Sequence, residues 1–126
     1  MSSRPTLIPY SVITAASLAA PITSSPTIIT NISMICYEVS WTGNNPQGAI
    51  AVQVSNSYSV NSAGGVVLNA NPTWTTLILS APTNVSGNSG SGIIQLSDVP
   101  AHAIRLVYTP TSGTGTLNAI IAGKVE

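Results

Sequence analysis

Apolar side chains recur at every second position over much of this chain, the period that places them on one side of a pleated strand. Residues 28–42 form the longest such run, with Ile35, Tyr37, Val39 and Trp41 on one face and Met34, Cys36, Glu38 and Ser40 on the other. The segment GNNPQG at 43–48 reads as a turn, and Ile50, Val52 and Val54 then alternate through a partner strand to Ser55, which predicts a hairpin. A second hairpin is predicted over 101–124. Ile104, Leu106 and Tyr108 alternate in its first strand and Leu117, Ala119 and Ile121 in its second, joined by the Pro, Ser, Gly and Thr residues of 110–116.

Between these hairpins the pattern is weaker. Residues 56–65 read as a loop or weak edge, 66–68 as a short strand, and 73–80 (TWTTLILS) as a strand. Residues 81–92 read as a polar Gly/Ser/Asn loop, 93–96 as a short strand and 98–100 as a corner. No helical periodicity stands out. About eight strands spaced by turns predict an all-β protein, a single antiparallel β-sandwich or jelly roll. The first 27 residues carry prolines at 5, 9, 21 and 26, which forbid a long helix. They predict an extended N-terminal arm, held by its own fold or by a neighbouring subunit, ahead of a sandwich domain at 28–126. Residues 11–20 have the apolar character of a signal-peptide core, but Arg4 is the only charge before them and Pro5 and Pro9 interrupt that pattern.

Composition sharpens the picture. Of 126 residues 44% are hydrophobic and only 5% charged, with no Phe, against about 25% charged in an ordinary soluble domain. Three cations balance three acids, so neither nucleic acid nor an anionic membrane is an expected partner. No apolar run is long enough to span a bilayer as a helix. A surface this poor in charge has little protection against self-contact, which points to a homo-oligomer or a component of a larger assembly.

Candidate chemistry is sparse. The only histidine, His102, lies four residues from Asp98 across Pro100, and no Gly-x-Ser-x-Gly elbow accompanies them; a strand-entry histidine is the plainer reading. Glu38 and Asp98 are too few for a calcium loop, and Glu38 is expected on a partly solvated face or paired with Arg105 or Lys124. Cys36, the single cysteine, can form no internal disulfide and is expected to be a small buried residue. No catalytic set, metal site or cofactor fingerprint is present, so no cofactor is expected and the chain does not read as an enzyme. Arg105 interrupts an apolar strand and therefore needs a partner: a sheet-edge contact or an intersubunit ion pair. With no Phe, Trp41, Trp74, Tyr37, Tyr58 and Tyr108 must supply most of the large core or interface side chains. The sequons at Asn31 and Asn84 arise easily by chance in an Asn/Ser-rich chain.

Three segments taken together carry a resemblance: YEVSWTGNNPQGAIAVQVS at 37–55, TWTTL at 73–77, and 100–124, which contains AIRLVYTPTSGTGTLNAIIAGK. In that order they resemble small virion structural proteins of tailed bacteriophages, over roughly residues 34–124. The resemblance implies a jelly-roll-like sandwich acting as a capsid decoration or cement protein, or as a head or tail accessory protein. Its expected partners are copies of itself, as dimer or trimer, and the major capsid or other virion proteins, and its expected location is the virion. On this reading Leu7, Ile8 and Tyr10 of the arm, with Arg105, are the candidate intersubunit contacts. The same order is also similar to discoidin-type, galactose-binding-like jelly rolls. That alternative is a carbohydrate-binding module at a tail or host-contact surface, using loops 43–48, 56–65 and 81–92 with Tyr58 as a stacking platform, although the chain has no cysteine pair.

Overall fold

In the computed structural model, residues 6–29, 32, 34–60, 62–63, 66–77, 83–97 and 101–124 are described. They form ten strands and no helix: β1 (Thr6–Ser17), β2 (Ile22–Thr23), β3 (Thr27–Ile28), β4 (Met34–Ser55), β5 (Tyr58–Val60), β6 (Val66–Leu68), β7 (Thr75–Thr76), β8 (Thr83–Val85), β9 (Ser89–Leu96) and β10 (Ala103–Lys124). Eight belong to one antiparallel sheet, and β5 and β6 pair separately.

The sheet is built on β4 and β10, each 22 residues long. They pair with each other from Ala103 opposite Ser55 to Lys124 opposite Met34. β1 lies along the C-terminal half of β10, and β2 and β3 along its N-terminal half. On the far side, β9 lies along the N-terminal half of β4, and β8 and β7 along its C-terminal half. The strands thus form two halves, β1–β10–β4–β9 and β2/β3–β10–β4–β8/β7, sharing the two long strands.

One face of both halves is buried. Tyr37, Val39 and Val52 of β4, with Ile104, Ala119 and Ile121 of β10, have no exposed surface. With no helix to lie against, that face is covered by folding the sheet over on itself, so both halves contribute to one hydrophobic cluster. The phenol of Tyr10 in β1 meets the hydroxyl of Thr27 in β3 at 2.7 Å, tying a strand of one half to a strand of the other. The fold is the all-β antiparallel sandwich that the alternating pattern predicts.

The two predicted hairpins, however, are not hairpins. Each is one continuous strand, and the two supposed turns lie opposite each other, with Pro110 across from Gly48, Thr114 from Asn44 and Gly115 from Gly43. The turn chemistry is real but produces a bend. The register slips on either side of Ser112, Asn45 takes φ 49° and Gly113 φ 82°. In both strands the buried parity changes there, from odd (Tyr37, Val39, Trp41) to even (Ile50, Val52) in β4 and from even to odd in β10. The bend keeps the same face of the ribbon inward as the sheet folds over. Gly43 is required by close approach, since a Cβ there would run into the Thr114 carbonyl.

Other boundaries also move. The loop expected over 81–92 contains β8 and the first half of β9, because both find partners on β4. Of the strand expected at 73–80 only Thr75–Thr76 is paired, and 78–80 lie outside the described residues. Within residues 6–28, β1, β2 and β3 lie along β10 of their own chain with a turn over 18–20, and Val12, Ile13, Leu18 and Ile22 belong to the core. These side chains supply part of the apolar cover of the inner face. Cys36 is half-buried rather than enclosed, because even positions in this half of β4 face outward.

Candidate interaction surface

The residues singled out from sequence do not converge. Leu7 and Ile8 lie in β1, Leu7 opposite Gly123, and their side chains fall outside the described residues. Tyr10 is 42% exposed, with its hydroxyl engaged by Thr27. Tyr58 opens β5 opposite Leu68, its side chain also outside the described residues, so the glycan-stacking role rests on no described contact. Asp98 lies outside the described residues as well. His102 is half-buried at the entry to β10, where its backbone N–H is shared between the Ser55 carbonyl at 3.2 Å and the Asn56 side-chain oxygen at 3.1 Å.

Arg105 has the partner its position demands, of a different kind from the expected acid. Its Nε donates to Gln53 Oε1 at 2.9 Å across the β4–β10 pair, and its guanidinium stacks 4.2 Å from the centre of the Trp74 ring. Glu38 sits in the other half of the sheet, opposite Ile120, exposed on the outer face. Trp41 belongs to the core and donates from its indole to the Ser86 carbonyl at 3.1 Å.

Among the described residues no three acidic, His or Cys side chains gather as a metal site. A mainly apolar groove of about 630 Å³ opens at the end of the first half, between Pro9, Met34, Cys36, Leu96 and Lys124. Burial, and secondarily the charge of Glu38, push the Cys36 thiol above its ordinary pKa. A raised pKa lowers the thiolate fraction on which thiol reactivity depends.

What the structure does bring together is a surface. On the outer face of β1–β10–β4–β9, Ile120, Glu38 and Ile93 stand side by side on three neighbouring strands. Ile93 is 58% and Ile120 41% exposed, the former the most exposed large apolar side chain described. Ser40, Thr42, Ser91, Gln95 and Asn118 surround them with uncharged polar groups, all exposed. Sequence reasoning left Ser91 of this surface, with the first half of β9, in a loop. The available signal was the period-two Ser-Gly-Ser-Gly of 89–92, in which serine faces out and glycine in.

No protein-family model and no curated protein sequence matches the chain. The solved crystal structure of SPBc2 prophage-derived protein YomS is similar over 97% of this chain and 96% of that one, with a TM-score of 0.47 and 9% sequence identity.

Proposed function

We propose that this chain is a non-enzymatic structural protein of a phage virion, which decorates or cements the capsid by packing its outer sheet face on neighbouring subunits. The observation that carries this reading is the pair of exposed isoleucines, Ile93 and Ile120, on a face whose one charge between them is Glu38. Large apolar side chains this exposed, within a rim of uncharged polar groups, are suited to burial against a partner. The charge-poor composition supports it, and so does the sequence resemblance of 37–55, 73–77 and 100–124 to small tailed-phage virion proteins. Adhesion here is apolar burial on a rigid sheet.

The test is cosedimentation of the purified chain with capsids assembled without it. The intact chain is expected to pellet with the shells, and Ile120→Lys to bind at least about tenfold more weakly, the effect of an ordinary interface anchor. An intact, folded chain that stays in the supernatant would overturn the proposal, and binding to a glycan array in that case would favour the carbohydrate-binding alternative.

A further inference from the structure

Sheet edges expose unpaired N–H and C=O groups, and proteins that must stay apart blunt them. This chain blunts all but one of its described edges. β1 carries Pro9 and three register shifts, and Ser11 Oγ donates to the Ile13 carbonyl at 3.1 Å. β2, β3, β5, β6, β7 and β8 are only two or three residues long. β9 differs. It runs eight residues, SGSGIIQL, in unbroken register against β4, with no proline and no charge, and among the described residues nothing pairs with its other edge.

The phase of the ladder follows from one bond. Gly43 N–H donates to the Asn88 carbonyl at 2.8 Å, so Gly90, Gly92, Ile94 and Leu96 are the residues whose backbone groups turn toward β4. Ser89, Ser91, Ile93 and Gln95 therefore direct theirs outward, to an edge on which no described residue pairs.

We propose that two copies of this chain join through β9, antiparallel about a two-fold axis at Ile93, to make one sheet continuous across both. An antiparallel self-pairing can match outward groups only if its two-fold axis lies at a residue of β9 rather than between two residues. Centred on Ile93, every position is complementary. Ile93 meets its own copy and Ser91 meets Gln95, while Gly92 lies opposite Ile94 and Gly90 opposite Leu96, each glycine facing a large apolar side chain. Centres at Gly90, Ser91 or Gly92 set glycine against glycine, one at Ile94 sets that side chain against its own copy, and one at Gln95 sets Ile94 against Leu96. Among the described residues the acid nearest the pairing is Glu38, which lies one strand in. The two copies of Glu38 would stand about 14 Å apart, three strand spacings, beyond a Debye length of about 8 Å. An isologous contact of this kind closes at two copies and leaves no edge free for a fibre.

The dimer forms without any shell, so its test is independent of the virion reading. Sedimentation equilibrium of the full chain is expected to give twice the 12.8 kDa monomer mass. Ile93→Lys, at an exposed position, is expected to give a folded monomer, and Ile120→Lys to remain a dimer. In a Cys36→Ser background, Ile93→Cys should oxidise to a disulfide-linked dimer, because directly paired residues have Cα atoms about 5.5 Å apart. Ser91→Cys should not, since its partner is Gln95. A monomer at every concentration, a dimer indifferent to Ile93→Lys, or linkage through Ser91→Cys in preference to Ile93→Cys overturns the proposal.

Discussion

Tyr37 lies at the centre of the inner face, its side chain fully buried and its hydroxyl without a hydrogen-bond partner among the described residues. Burial first, and the neighbouring phenol of Tyr10 second, push its pKa far above the ordinary tyrosine value. The folded state therefore keeps the proton. The stability this represents is complete below the unfolded pKa of about 10 and drains away as pH rises above it, where only the unfolded chain ionises. Tyr37→Phe removes an orphan hydroxyl while keeping the ring, and is expected to raise stability by about 1 kcal/mol and flatten the alkaline limb, read from denaturant midpoints against pH. A loss of stability would mean that the oxygen is satisfied in solution. Arg105 shows how far sequence reaches at this scale. An arginine amid Ile104, Leu106 and Val107 announces that it needs a partner, but Gln53 arrives from β4 and Trp74 from the segment just before β7, a register that periodicity does not encode.

At the scale of elements, the alternation in β4 and β10 was legible because it reflects burial of one face, which holds whatever the topology. Chain direction across the Gly/Pro segments was not. Gly43 to Gly48 and Pro110 to Gly115 have the composition of reversals, and only their pairing with each other shows that they are bends. The distinction is measurable. A Gly-Ser insertion after Asn45 would be absorbed by a hairpin tip, whereas here it displaces buried Pro46 and the carbonyl of Gln47, which accepts the Tyr108 hydroxyl at 3.1 Å. The expected cost is about 3 kcal/mol or more in denaturant titration. An unchanged midpoint would restore the turn. The Ser-Gly alternation of β9 was hidden for a different reason: glycine and serine are the usual signature of loops, and β4 holds them extended.

For the molecule as a whole, the N-terminal segment is structural. Val12, Ile13, Leu18 and Ile22 are buried in the common cluster, and at about 1.5–3 kcal/mol each their loss rivals the about 5–15 kcal/mol that holds a typical domain together. Deleting residues 1–27 is expected to abolish cooperative thermal unfolding followed by circular dichroism. A deletion variant that still melts sharply would make that segment the separable arm that its prolines suggest. The shared ribbon of β4 and β10 carries a further consequence, for the order of events in folding. Met34 pairs with Lys124 and Ser55 with Ala103, so the central contact of the molecule joins segments far apart in sequence. Neither layer has a complete middle until that contact closes. The search for it is slow, on the millisecond-to-second scale of other all-β proteins, and until it ends the inward row of Tyr37, Val39 and Trp41 is open to any other extended chain nearby.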